Sequence, residues 1–384
     1  MTSAMLWLGG ALFTWGLGES MFLLFQPIYM QQLGADPVQI GIILGAWGAS
    51  MAFAHIPAGH LSDRIGRRPL LIAAWIIGIA AALLMALAHT LPIFVIGVFL
   101  YGFTAFVSSP LDSYTTAARG NWSVARAITF AAMSFNAGAV LGPITGGWLG
   151  DHYGLRSVYF ISAGVFVVST IIIQFIPSQP RDHHDPVNPP PSLLSNRRYL
   201  GFLTIYFAVA FSTYLPQPFT PNLLNNQRLF SLSAIGQLGS VNYLGSAVLT
   251  FLLGQMEART GFLLGQMAVA GFTLLLWRGT GFGWFAVGYF LLGGFRALRG
   301  LGVAQVRPFV HESQMGLAYG IAETCGSASI LLAPPLAGYL YSTEPTLMYP
   351  VGLGLMAFGA GLTLLFVPRS SRIPPEHIEL SPDL

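Results

Sequence analysis

Gly59-His60-Leu61-Ser62-Asp63-Arg64-Ile65-Gly66-Arg67-Arg68 carries four charges in ten residues of a chain that is only 8% charged. Long apolar runs flank it, at 37–58 and 69–88. Charges are expensive in hydrocarbon, so this stretch predicts a tight hairpin between two membrane-spanning helices. Its three arginines also orient the hairpin, because short loops rich in Arg or Lys stay in the cytoplasm.

The rest of the composition agrees. The chain is 54% hydrophobic and 13% aromatic, with a mean hydropathy of +0.65. A soluble protein carries roughly 25% charged residues. All 17 cations are arginine. One cysteine, Cys325, excludes an intramolecular disulfide and a cysteine metal cage. No metal and no cofactor are expected. A net charge of +3, scattered over loops, does not suggest nucleic acid. The first apolar run lacks a basic leader and is long enough to span, so it reads as a membrane helix rather than a cleaved signal.

A span needs ~20 mostly apolar residues. Twelve segments satisfy this, at 5–33, 38–61, 69–88, 92–116, 125–150, 156–177, 199–222, 233–257, 262–279, 282–305, 315–341 and 346–367. Asp151-His152-Tyr153-Gly154 reads as the turn between the fifth and sixth. The expected division is a six-helix half at 1–177, a linker at 178–198, a second half at 199–368 and a tail at 369–384. The linker holds Arg181, Asp182, His183, His184 and Asp185, read as solvated rather than metal-binding. With the N-terminus inside, twelve arginines fall on the cytoplasmic side and three, Arg156, Arg228 and Arg278, outside. That asymmetry predicts both termini in the cytoplasm.

The pattern Gly-x-x-x-Asp-Arg-x-Gly-Arg-Arg, met by Gly59, Asp63, Arg64, Gly66, Arg67 and Arg68 between the second and third segments, resembles the signature loop of the major facilitator superfamily. The resemblance implies an all-α fold of twelve transmembrane helices in two pseudo-symmetric halves, with substrate bound near the midplane between them. It also implies a gate. Asp63 would face the N-terminus of the eleventh helix, around 315–319, whose partial positive charge favours an anion. Gly138, Gly142, Pro143, Gly146 and Gly147 in the fifth segment resemble the signature of the superfamily's antiporter branches, drug/proton exporters included. Physically, glycines four apart let another helix approach closely, and proline kinks the helix.

The halves echo each other at an offset of 191–195. Gly59–Gly66 aligns with Gly254–Gly261, pairing Arg64 with Arg259 and Asp63 with Ala258. Gly142-Pro143 aligns with Ala333-Pro334, and Phe94 to Gly97 with Phe285 to Gly288.

Ionisable residues at membrane depth are functional candidates by default. Glu19 lies fourteen residues from Met5, ~21 Å along a helix and near the midplane. Arg296 and Arg299 lie in the tenth segment, Glu323 in the eleventh and Asp112 near the inner end of the fourth. In the family the first, fourth, seventh and tenth helices line the cavity, which nominates Glu19, Arg296 and Asp112 for proton coupling. A desolvated carboxyl keeps its proton and a neighbouring guanidinium drives it off, so making and breaking a Glu19–Arg296 contact would bind and release a proton. Arg299 and Glu323 are an expected ion pair. Arg296, Arg299, Tyr206, Phe211, Tyr214 and Gln217 are the expected substrate-cavity residues, and two guanidiniums could also fork an anion. The family's fourth-helix arginine is missing: Val98 stands in its place when the following glycine is set at Gly102.

These residues predict a secondary transporter in the cell membrane, monomeric and not an enzyme, exporting a small amphiphilic molecule against protons as an antiporter. A transporter of organic anions or sugars, and a transporter-like receptor without turnover, are the alternatives.

Overall fold

The computed structural model describes residues 2–179, 193, 196–306, 309–310 and 315–367, with the side chains at 55–65, 109, 125 and 315–317 outside that description. Asp182 to Asp185 of the linker, the 369–384 tail and the side chains of Asp63 and Arg64 therefore lie outside the described residues.

The chain is all helix, with no strand among the described residues. Its helices make twelve crossings. The first crossing is α1 (Ser3–Leu23) with α2 (Gln26–Gln32), followed by α3 (Pro37–Ile65) and α4 (Arg67–Leu87). The fourth is α5 (Leu91–Phe103), a 3-10 turn (Thr104–Val107) and α6 (Ser108–Ala118); α7 (Val124–Tyr153) and α8 (Leu155–Ile173) complete the half. The second half repeats the plan with α9 (Arg197–Tyr214) and α10 (Thr220–Asn226), α11 (Leu232–Gly254), α12 (Ala258–Arg278), α13 (Phe282–Leu292) and α14 (Gly294–Ala304), α15 (Met315–Thr343) and α16 (Met348–Phe366). Helix starts recur 191–195 residues apart: Ser3 and Arg197, Pro37 and Leu232, Arg67 and Ala258, Leu91 and Phe282, Val124 and Met315, Leu155 and Met348.

The first, fourth, seventh and tenth crossings are the interrupted ones. Pro27 sits in the first turn of α2, where its ring would clash with the carbonyl four residues back, and the α1–α2 pair bends by 43°. Pro216 and Pro218 fall in the α9–α10 break, and Gly293 separates α13 from α14.

Two connections are tighter than the sequence suggests. α3 runs to Ile65 and α4 begins at Arg67, so Gly66 alone joins them, at φ 90. That left-handed φ favours glycine. Likewise Asp151, His152 and Tyr153 are the last turn of α7 rather than a loop, and Gly154 at φ 79 makes the reversal alone.

Crossings of the first half each pass as apolar enough to span, α1–α2 as a bent pair; in the second half α12 and α16 do. Large apolar side chains cover the outside of the bundle, Phe53, Phe251 and Leu365 among them, as a lipid-facing surface requires. Inside the first half, Trp15 packs on Trp75 and Phe166 with ring centroids 4.8 and 4.3 Å apart. The Trp75 indole N–H donates to Ser169 Oγ at 2.7 Å, and Ser169 donates to the Ala11 carbonyl at 2.6 Å. That chain of bonds ties α4, α8 and α1 together.

The halves meet along two helix pairs, α7 with α11 and α3 with α15. Both close on backbone. A β-carbon at Gly236 would overlap the Pro143 carbonyl, and one at Gly41 would overlap the Pro334 carbonyl. Gly147 lies against the Leu232 carbonyl and Gly338 against that of Pro37. These are equivalent positions of the two halves.

Candidate transport site

Glu19 projects from α1 into a cavity of about 230 Å³ walled by Trp15, Trp47, Trp75, Tyr101 and Phe135. Its Oε2 accepts from the Trp15 indole N–H at 2.8 Å. The Tyr101 hydroxyl is its neighbour, buried and without a hydrogen-bond partner of good geometry. Arg296, from the other half, is within electrostatic reach of the Glu19 carboxylate. No salt bridge closes between them among the described residues. Instead Arg296 donates to Asn136 Oδ1 of α7 at 2.8 Å and lies over the Tyr243 ring, 4.7 Å from its centroid. Asn136 holds this orientation because its own NH₂ donates to the Ala132 carbonyl at 2.9 Å. These partners of Arg296 are neutral, which leaves its charge available to an acid that approaches.

Arg299 is differently placed. Its Nη2 donates to Glu323 Oε2 at 2.9 Å, so its charge is already matched. The two arginines therefore do not offer a pair of free guanidiniums to an anion. Asp112 is exposed on α6, away from Glu19's cavity, and within electrostatic reach of Glu323. The structure thus separates the three groups expected to handle protons: Glu19 with Arg296, and Asp112 with Glu323.

The seventh crossing divides the expected cavity residues. Tyr214 and Gln217 line a second cavity, of about 260 Å³, that lies between the halves. Tyr206 is a correction. It is completely buried, and its ring fills the space beside Gly302 and Gly326, with its hydroxyl donating to the Arg299 carbonyl at 3.4 Å. It holds α9, α14 and α15 together instead of facing a cavity. Phe211 is half-buried beside Phe207 and lines neither cavity.

The fifth-crossing motif is a packing face. Cβ atoms at Gly138 and Gly146 would overlap the carbonyls of Phe13 and Met21, and one at Gly142 would meet the Ser20 hydroxyl, so α7 lies flush on α1. Gly147 and Pro143 face α11, the other half. At the charged hairpin, Arg67 donates to Gln179 Oε1 at 3.1 Å and Arg68 to the Gln174 carbonyl at 2.9 Å. Arg67 holds the stretch that follows α8, and Arg68 holds the end of α8 in its own half. Arg259 does the same in the second half, donating to the Leu364 carbonyl at 2.6 Å. Its structural counterpart is therefore Arg68, not Arg64, because the α4 and α12 starts register at an offset of 191. Gly59, and the Asp63 and Arg64 side chains that the gate needs, lie outside the described residues.

Several residues that hold the halves together were not evident in the sequence. Asp151 accepts from the backbone N–H groups of Leu232 at 2.9 Å and Ser233 at 2.8 Å, capping α11 across the boundary between halves. Ser231 caps the next free N–H, on Ala234, at 3.2 Å. At the same end Gln31 Oε1 accepts from Asn222 at 2.8 Å and Asn226 at 2.9 Å. This end, opposite the Gly66 hairpin, is latched shut.

Twelve crossings in two like halves, with cavities between and beside them and an acid held among aromatic rings, define a membrane transporter fold. A family model for the Major Facilitator Superfamily matches residues 8–216 and 202–382, and the chain belongs to that superfamily. It is 27% identical over 333 residues to multidrug resistance protein MdtL of Klebsiella pneumoniae subsp. pneumoniae, covering 81% of this chain and 83% of that one. It is 30% identical over 182 residues to multidrug resistance protein MdtG of Salmonella choleraesuis, covering 44% of this chain and 43% of the relative. An MFS-type transporter of Methanocaldococcus jannaschii, MJ1560, is 27% identical over 161 residues, 42% of each chain. The chain thus spans less than half the length of those last two relatives. Among solved structures, the nucleoside transporter NupG superposes with a TM-score of 0.75 at 15% identity, covering 95% of this chain and 98% of that one. A bacterial Spinster homologue, titled inward-facing and occupied, gives 0.72 at 15% identity over 96% and 98%. These likenesses are of fold.

Proposed function

We propose that this superfamily member exports a small amphiphilic compound by alternating access, driven by proton entry at Glu19. The observation that carries the reading is the Glu19 site: a carboxylate among aromatic rings, facing an Arg296 from the opposite half that has neutral hydrogen-bond partners. Glu19 would take its proton while the cavity is open to the outside and release it to the cytoplasm in the outward-closed state, where Arg296 stands within electrostatic reach and a move into a direct pair would expel it. The names of the MdtL and MdtG relatives support efflux.

With both termini in the cytoplasm, the latched end faces outward, and the described conformation is closed to the outside. The halves are taken as 1–177 and 199–368, joined by a cytoplasmic linker at 178–198 and followed by a cytoplasmic tail from 369; the repeated helix starts support this division. Asp63 would lock the Gly66 end against the start of α15 in the opposite, outward-open state. The protein works as a monomer in the cell membrane and needs no cofactor. Arg299–Glu323 serves as a fixed pair within the second half. Its neutralised charge disfavours the organic-anion reading.

The test is transport in proteoliposomes under an imposed pH gradient. Wild-type protein accumulates substrate against its concentration gradient, whereas a receptor without turnover would not. Glu19→Gln abolishes that accumulation and retains substrate exchange. Normal uphill transport by Glu19→Gln would refute proton entry at Glu19.

A further inference from the structure

The cavity between the halves differs in kind from the Glu19 cavity. Tyrosine is the nearest thing to an ionisable side chain in its lining. Two of its walls come from beside the breaks in the first and seventh crossings, where Pro27 and Pro221, each second in its short helix and 194 residues apart like the crossings themselves, line it together with Gln26 and Gln217. Trp47 of α3 and Asn242 of α11 also line it, at equivalent places ten residues after their helix starts. The pseudo-twofold of the molecule therefore passes through this cavity, and three primary amides converge on it from both halves.

Those amides are under-used by the protein. Gln26 is 3% exposed and makes no side-chain hydrogen bond among the described residues. Asn242 Oδ1 is buried without a partner. Gln217 uses its NH₂ on the Thr213 carbonyl, at 2.8 Å, and leaves its Oε1 open. Buried polar groups are normally satisfied, so a cluster of orphans around one void signals an absent partner. The void has flat aromatic faces at Trp47, Tyr214 and Tyr243. No charged side chain lines the cavity itself, and the Arg296 guanidinium lies over the Tyr243 ring, so a cation entering here would lose its hydration with no lining carboxylate to replace it. A neutral molecule carrying paired donors and acceptors would satisfy the amides, each of which offers both.

We infer that this cavity is the cargo chamber, and that the cargo is an uncharged planar compound with an amide- or imide-type donor–acceptor edge gripped by Gln26, Gln217 and Asn242. Cargo and proton then occupy adjacent chambers that share Trp47 as a wall, one uncharged and one holding Glu19. The assignment rests on the transporter reading but not on its proton coupling.

The experiment is ligand binding to purified protein in nanodiscs without any gradient, read by thermal shift and by equilibrium titration. Nicotinamide and uridine are the neutral planar probes, glucose the neutral non-planar one, and tetraphenylphosphonium the cation. Nicotinamide or uridine should raise the melting temperature, and tetraphenylphosphonium should not displace it. Gln26→Leu and Asn242→Leu should each weaken that probe by about tenfold, the loss of one or two well-made hydrogen bonds. If one variant does not fold, the other and the wild-type competition still decide. Stabilisation only by tetraphenylphosphonium, binding of glucose in preference to both planar probes, no binding of either planar probe at millimolar concentration, or indifference of the bound probe to the amide variants overturns the assignment. Failure of Glu19→Gln to uncouple transport would leave this binding result standing, so the two readings fail separately.

Discussion

The α7–α11 seam and the α3–α15 seam are built alike and latched differently. In each, a glycine near the start of one helix lies on the carbonyl of a proline inside the other: Gly236 on Pro143, Gly41 on Pro334. Across the α7–α11 seam, Asp151 also caps the start of α11 with two charge-assisted hydrogen bonds. The matching helix start, that of α3, is capped from within its own half, where Asp36 Oδ1 accepts from Gln39 N–H at 2.9 Å. Ser342 occupies the place equivalent to Asp151, and its hydroxyl donates to the Tyr339 carbonyl of its own helix. Close approach is thus a property of both seams, while polar attachment between halves at the helix start belongs to one. A transporter that must reopen this end on every cycle gains from that division. The dry seam can part without uncapping a helix, and the latched seam sets how readily the end opens.

The largest expected effects come from filling the shared glycine sites. Gly236→Leu and Gly41→Leu should each oppose closure by ~1–3 kcal/mol, the usual penalty of overpacking. Spin-label distances measured across the latched end should lengthen in both variants to a similar extent. A change in only one would show that the seams do not bear equally on closure. Next comes the latch. Asp151→Ala should weaken closure by ~1–2 kcal/mol, the range for a lost helix cap. That is about a tenfold shift in the population of the closed end. Ser342→Ala should leave the distances unchanged.

Smaller again are the paired arginines outside the seams. Arg68→Ala and Arg259→Ala each remove one side chain to carbonyl bond, worth ~0.5–1.5 kcal/mol. Their effects on thermal unfolding should match, whereas a register pairing Arg259 with Arg64 gives no reason for a match. Least of all should be the Arg299–Glu323 pair, which is partly exposed, at 27% and 54%. A double-mutant cycle to Ala should return ~0.2–1 kcal/mol.

Much of the architecture is readable from hydropathy and from the charged hairpin, because bilayer thickness imposes one length on every crossing. Glycine and proline spacing in the fifth segment likewise announced a packing face, since only a missing side chain lets backbones touch. The site was harder to read. Tyr206 and Tyr214 sit two turns apart on one helix, yet one fills the core and the other lines a cavity. Aromatic composition cannot separate those fates; only the facing helix can. Asp151 looked like a turn residue because its partners are backbone N–H groups of a helix 81 residues away, which leave no trace in side-chain pattern. Gln26 and Asn242 escape a charge-based reading because neutral amides in a hydrophobic helix raise no alarm.

The uneven hydropathy of the two halves bears on how the chain is made. Crossings of the first half can each partition from the translocation channel into lipid on their own account, with α1 and α2 going as a pair. The second half supplies fewer such crossings among the described residues, and its two seam helices are α11 and α15. Those two pack on α7 and α3, which leave the ribosome earlier. The surfaces that later slide during transport therefore serve first as a template during synthesis.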